Sequence, residues 1–366
     1  MNRDLRYDFF RGLALLAITV NHAQPAPNVF FRVGHFWFFD WADLFVFISG
    51  SVCGLAYYRR VQSQGLIPSY RRALGRSFAL YLSNLLALTI CLALACIYYA
   101  QFNNVPRVFA LDQYFAQPLA SIRHSLLMWS PPDFLTVLNI YILFLLLMPA
   151  AIWLYLRNRP AAITLSLLLY LYAQAQPRFH LPDLTLGFAS FGNPLAWQLT
   201  FNLGLWLGIE RKRDHLHLPR SRTLLTLAVA ALALGFAARY AHLLDPARWY
   251  AKHNAKPLRL IELLLVAYVI TTLLPAHLSL WKNSLLRPII HCGKRALPLF
   301  CASLVASYAV TLTSFALHVT WREYAPLLTL ALISLCLFAR FLNRQPKLAQ
   351  LITHEAPTPA DVTLPR

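Results

Sequence analysis

The chain has 366 residues, 58% of them hydrophobic and only 13% charged. Soluble domains carry about 25% charged residues, so a soluble globule is excluded and the long apolar runs read as a polytopic membrane protein. The net charge of +19 does not point to nucleic acid, because the cations gather in short connections such as "YYRRVQSQGLIPSYRRALGR" and "GIERKRDHLHLPRSR".

The first apolar segment is "RYDFFRGLALLAITVNHAQ", residues 6–24. Its uninterrupted run, Gly12 to Val20, is nine residues, whereas an unaided span needs roughly 20. Asp8, Arg11 and His22 interrupt or flank that run. At 100° per residue Arg11 and His22 fall within about 20° of each other, and Asp8 lies about 60° from Arg11. The three polar groups therefore share one stripe, with Arg11 and His22 about 16 Å apart along the axis. Ionisable groups at such depth face protein or a wet cavity and mark a pathway. The competing reading is a local Asp8–Arg11 pair with snorkelling ends. A cleaved signal peptide is disfavoured, because Asp8 and Arg11 spoil its pattern and no small-x-small site follows.

The next segment, "FFDWADLFVFISGSVCGLAYYRR", runs in the opposite direction and places Asp40 and Asp43 at the level of His22. A carboxylate bonded to one imidazole nitrogen fixes the tautomer and raises the basicity of the other. Asp43 is the candidate for this role, whereas Asp40 reads as a helix cap. Gly50 and Gly54 form G-x-x-x-G, a signature of close helix packing. Asp133 in "PPDF" reads as an N-cap. Trp197, Gln198 and Asn202 group near an outer helix end, a combination that grips sugars or packs between helices. Arg259 and Glu262 stand at i, i+3, either paired together or with Arg259 free for an acyl carboxylate. His291 and Cys292 lie in a basic connection on the expected cytoplasmic side, where they could line the mouth of a donor site. The six cysteines and "DHLH" show no zinc spacing, so neither a metal site nor a disulfide framework is expected.

Ten spans follow, at about 7–23, 41–58, 77–100, 134–156, 161–174, 194–209, 223–244, 258–281, 297–319 and 325–343. Lys and Arg number 21 on the side that holds both termini and 8 on the other, which makes the first side cytoplasmic. The expected architecture is all-α: a polytopic integral membrane protein with about ten transmembrane helices in one bundle. Residues 1–343 form that single domain and 344–366 a loose cytoplasmic tail.

"RGLALLAITVNH" followed by "DLFVFISG" resembles the opening of the acyltransferase family 3 superfamily of integral-membrane acyltransferases. Six ordered stretches are more specifically similar to the OpgC family, which succinylates osmoregulated periplasmic glucans. They are "YDFFRGLALLAITVNH", "WADLFVFISGSVCGLAYY", "PPDFLTVLNIYILFLLLMPAAIWL", "NPLAWQLTFNLGLWLG", "PLRLIELLLVAYV" and "LRPIIHCGKRALPLFC". The resemblance implies a bacterial inner-membrane enzyme that moves an acyl group, succinyl before others, from cytoplasmic acyl-CoA to glucan hydroxyls outside. No bound cofactor is implied, acyl-CoA being the donor substrate.

On that reading Arg11 and Asp8 belong to the acyl-CoA end, where guanidinium suits phosphate. His22 is the general base, oriented by Asp43, since an imidazole of ordinary pKa, about 6.5, suits proton abstraction at neutral pH. Trp197, Gln198 and Arg259 are the candidates for the acceptor or the acyl carboxylate. The rivals are a transporter of glucan or a small solute, against which the absence of internal repeats counts, and a non-catalytic membrane partner of polymer synthesis.

Overall fold

The computed structural model describes residues 4–24, 37–104, 106, 112–127, 136–175, 192–216 and 218–345. Among these every α or β element is a helix. They are α1 (Leu5–His22), α2 (Trp41–Gln64), α3 (Leu66–Phe102), α4 (Asp112–Ala116), α5 (Pro118–Leu126), α6 (Thr136–Arg157) and α7 (Arg159–Ala175). The chain continues with α8 (Pro194–Lys212), α9 (Arg222–Tyr240), α10 (Pro246–Trp249), α11 (Pro257–Leu273), α12 (Arg287–Lys294), α13 (Ala296–Ala316) and α14 (Trp321–Arg344). Each of the ten expected spans overlaps a helix, although the eighth, 258–281, runs past the end of α11 at Leu273. Six of those helices, α2, α3, α6, α9, α13 and α14, are long and apolar enough to cross a membrane. Asp133 and the segment from residue 346 lie outside the described residues.

α3 is much longer than the sequence implied. It runs for 37 residues, about 56 Å, because the basic connection ahead of it is helical rather than looped. The break between α2 and α3 is a single residue, Gly65, at φ 80°. Glycine tolerates that left-handed value and its N–H caps the Val61 carbonyl. Pro68 follows within the first turn of α3, where a proline costs no hydrogen bond.

α3 also shows which solvent it meets. Leu74, Phe78, Leu82, Leu86 and Ile90 are exposed, whereas Ala73, Ser77, Leu80, Ala87, Cys91 and Ala95 are buried. The large apolar residues recur at i+4 on the outward face and small ones dominate the inward face. An apolar stripe of this length facing outward has hydrocarbon as its partner.

The chain divides into two compact units. The first takes Met1–Tyr7, Val33–Ser69 and Leu147–Asn283. Its central contact is α2 on α8, and it uses glycine from both helices. A Cβ on Gly50 or Gly54 would collide with the Phe201 or Leu205 carbonyl. A Cβ on Gly204 or Gly208 would collide with the Phe47 or Ser51 carbonyl. The G-x-x-x-G of α2 thus meets a second one on α8, and the two backbones touch without side chains between them.

The second unit takes Asp8–Arg32, Tyr70–Leu146 and Ser284–Arg366. In it α1 meets α12 by the same device, because Gly12 abuts the Ile289 carbonyl and Gly293 abuts that of Asp8. Tyr308 and Leu312 of α13 pack with Cys91 and Ala95 of α3 and Tyr114 of α4. Asn84 donates to Asn139 at 3.3 Å, pairing two buried amides that would otherwise be costly in an apolar interior.

The glycine contacts yield a contrast. Gly204→Val should lower the melting temperature of purified protein sharply, since overpacking costs about 1–3 kcal/mol even where side chains can give way. Gly75→Ala, in α3 with nothing within 4 Å of the added Cβ, should leave it unchanged or raise it by the equivalent of about 0.5–1 kcal/mol. Equal melting curves for Gly204→Val and the parent would contradict the close contact.

Candidate active site

Within the second unit, α1 carries its polar stripe on one unbroken helix that ends at His22. Asp8 and Arg11 keep only 4% and 8% of their surface exposed, and His22 is half-buried. Asp8 and Arg11 are therefore enclosed by protein rather than presented to lipid. The helical register is continuous, so the axial separation of about 16 Å between Arg11 and His22 stands.

The His22 end is held by hydroxyls. Ser307 donates to the Thr19 carbonyl at 3.2 Å, and the Gln24 N–H donates to Thr311 Oγ1 at 2.8 Å. Tyr324 of α14 donates its phenol to the Ala23 carbonyl at 3.0 Å. The Ala23 carbonyl, which the helix end leaves open, and the Gln24 N–H beyond it are satisfied in this way, and the Thr19 carbonyl, already bonded to the Ala23 N–H, takes a second donor. At the other end the Gly12 and Gly293 contacts bring α12 directly against Asp8 and the turn that carries Arg11.

The first unit contains a second polar cluster at the start of α2. Asp40 is the N-cap and accepts from the N–H groups of Ala42 and Asp43, at 2.9 and 3.3 Å. Asp43 returns the bond by accepting from the Asp40 N–H at 2.8 Å, which completes a capping box. Both carboxylates also meet Arg259 of α11: Asp40 at 3.2 Å, and Asp43 in a short ion pair. Lys252 adds a third cation–carboxylate contact at 2.9 Å from Asp40. Burial alone would raise the Asp40 pKa, but Lys252 and Arg259 outweigh it and hold the carboxyl below its usual range.

Arg259 and Glu262 thus take different partners instead of forming the i, i+3 pair. Arg259 also donates to the Phe38 carbonyl at 2.8 Å. Glu262 accepts from the N–H groups of Phe38 and Phe39, at 2.5 and 2.9 Å. The rings of Phe38 and Tyr250 meet at a tilt of 44° with centroids 5.0 Å apart, and the Arg239 guanidinium lies over both rings. The segment before α2 is consequently tied to α11 by ion pairs and side-chain-to-backbone bonds, and to α9 by the Arg239 cation–π contact with Phe38.

Trp197 and Gln198 sit in the same unit with their polar atoms engaged. The Trp197 indole donates to the Lys252 carbonyl at 3.1 Å, and its ring is fully buried. Gln198 Oε1 accepts from Ser166 Oγ and Asn202 Nδ2, at 2.6 and 2.7 Å, and its amide donates to the Ser166 carbonyl. The Gln198 bonds join α7 to α8, and the Trp197 bond ties α8 to the segment ahead of α11. Lys252, Arg239 and Tyr250 join the cluster without having stood out in the sequence. The signal for Lys252 and Tyr250 is the cation and aromatic interleaving of "RWYAKHNAKPLRLIE", which has the composition of an ordinary loop, and Arg239 lies at the end of an apolar run.

His22 belongs to one unit and Asp43 to the other.

Arg259→Leu should destabilise the purified protein by about 3–5 kcal/mol, because it strands a fully buried Asp43 carboxylate. Adding Asp43→Asn to that variant should restore part of the loss, which thermal melting in detergent would measure. A single variant that melts like the parent would remove the ion pair from the account.

Against known proteins, a family model described as OpgC protein matches residues 3–346. No curated protein and no solved structure matches the chain. The family match spans every described helix from α1 to α14, and the chain belongs to the OpgC family.

Proposed function

We propose that the protein is a membrane-bound O-acyltransferase. It carries an acyl group, succinyl above others, from cytoplasmic acyl-CoA to hydroxyls of a periplasmic glucan. Family membership supports the reaction class. The observation that carries the mechanism is α1: one helix bearing an enclosed guanidinium near one end and an imidazole at the other. The reading sets the ten helical segments across a bacterial inner membrane with both termini in the cytoplasm, following the charge asymmetry.

In this mechanism Arg11, with Asp8 beside it on the stripe, receives the phosphate-bearing end of acyl-CoA. The pantetheine arm spans the helix and presents the thioester to His22. A His22 ring nitrogen takes the proton from a sugar hydroxyl as that oxygen attacks the carbonyl carbon. The new C–O bond forms, the C–S bond breaks, and the CoA sulfur leaves and recovers the proton from the imidazolium. The products are the glucan ester and free CoA.

Asp43 is assigned the orienting role toward His22 from its place in the sequence, and Arg259 serves by holding that carboxylate rigidly. Trp197, Gln198 and Arg259 are assigned, from their place in the sequence, to the binding of the acceptor or of the acyl carboxylate.

Protein in nanodiscs, given labelled succinyl-CoA and glucan, should form covalent product. His22→Ala should lower turnover by about 10²–10⁴-fold, the usual share of a general base. Asp43→Asn should also lower turnover, and Arg11→Ala should chiefly weaken donor binding. Near-normal turnover by His22→Ala would dismiss the base assignment. Movement of unmodified glucan without ester formation would make the protein a transporter.

A further inference from the structure

The basic connection ahead of the ninth expected span is itself helical: α12 is clamped between α1 and α14. Gly12 against Ile289 and Gly293 against Asp8 leave no room for a side chain on the α1 side. On the other side Asn343 of α14 donates to the His291 carbonyl at 3.1 Å, and the Cys292 and Cys336 sulfurs lie 3.9 Å apart. All of these contacts are internal to the second unit. α12 is thus fixed beside the turn of α1 that carries Asp8 and Arg11.

The remaining face of α12 is basic. Arg287, His291 and Lys294 stand at i, i+4 and i+7, within about 60° of one another. Arg295 follows at the helix end, and the last turns of α14 add Arg340 and Arg344, again at i, i+4. Arg287, Arg340 and Arg344 are exposed, and His291, Lys294 and Arg295 half-buried. Among the described residues no carboxylate pairs with Arg287, Lys294, Arg295, Arg340 or Arg344. Two buried nitrogens, His291 Nδ1 and Arg295 Nε, have no hydrogen-bond partner among the described residues. Burial first, then the charges of Lys294, Arg340, Arg287 and Arg344, hold His291 below the ordinary histidine pKa, which places these cations around one imidazole.

Cations gathered in this way repel one another, and only a ligand of several negative charges relieves all five at once. We propose that the basic face of α12 and the last turns of α14 form a cradle for phosphate esters, and that its ligand is the phosphorylated nucleotide portion of acyl-CoA. The identification of the ligand rests on the acyltransferase reading above. The cradle lies beside Arg11, so a nucleotide seated there can send its pantetheine arm along α1. The phosphate of an anionic lipid headgroup shares the same chemistry, and the test separates the two sources.

The full-length protein is placed in nanodiscs of phosphatidylcholine alone or with phosphatidylglycerol. Calorimetry then measures binding of coenzyme A, its 3′-dephospho form and adenosine 3′,5′-bisphosphate. Two double variants, Arg340→Gln with Arg344→Gln and Arg287→Gln with Lys294→Gln, are compared with the parent after melting curves establish that they are folded. Each pair should weaken coenzyme A and the bisphosphate by about tenfold or more, the worth of one charge-assisted bond. Each should also narrow the gap between coenzyme A and its dephospho form.

Parent-like affinity in both double variants, or no nucleotide binding by the parent, overturns the cradle. Loss of a phosphatidylglycerol-dependent rise in melting temperature, with coenzyme A affinity unchanged, makes it a lipid site and also overturns the nucleotide assignment. Nucleotide binding through these side chains without acyl transfer would uphold the cradle while the proposed reaction fell. Acyl transfer by variants of unchanged nucleotide affinity would do the reverse.

Discussion

Backbone-to-backbone contact between helices is the constraint on which the local architecture depends. In hydrocarbon no hydrophobic effect drives one helix onto another, so association relies on close packing and on polar groups that find partners. The protein meets this need with glycine placed where a carbonyl of the neighbour arrives. Gly50, Gly54, Gly204 and Gly208 do so between α2 and α8, and Gly12 and Gly293 between α1 and α12. Each glycine removes a side chain at the one place where it would hold the backbones apart. The rest of each interface can then be ordinary, with bulky residues turned outward, as along α3.

Close approach has an electrostatic consequence. Once helices touch, polar side chains at their ends are shielded from water and must satisfy one another. At the start of α2 this produces a network in which Arg259 and Lys252 balance Asp40 and Asp43, and Glu262 caps two amides. Around α12 the opposite holds, since the cations there find no carboxylate among the described residues. The first cluster is self-neutralised and suits a structural task. The second keeps its charge available, as the proposed cradle requires.

The helices are legible in the sequence because apolar runs broken by basic connections leave little alternative in a membrane. So is the stripe of Asp8, Arg11 and His22, since helical periodicity alone puts those residues on one face. The capping role of Asp40 and the packing role of Gly50 and Gly54 are visible for similar reasons, being local in chain and conformation. The partners are not visible. Glu262, three residues away, is the natural mate of Arg259 on a helix face, yet the guanidinium turns to two carboxylates more than two hundred residues earlier in the chain. A buried guanidinium with five donors is satisfied best by several acceptors in one plane, and only the fold supplies them.

The amino-acid sequence by itself determined that the chain is helical, which segments are apolar, and which ionisable groups share a helix face. These follow from hydropathy and a 3.6-residue period, and they need no knowledge of neighbours. The tertiary structure alone decided that the second G-x-x-x-G belongs to α8, that α12 is a helix wedged beside Asp8, and that Arg259 is committed to Asp40 and Asp43. Those outcomes depend on which distant backbones approach closely enough to exclude side chains and water, a property of the packed chain that no local pattern encodes.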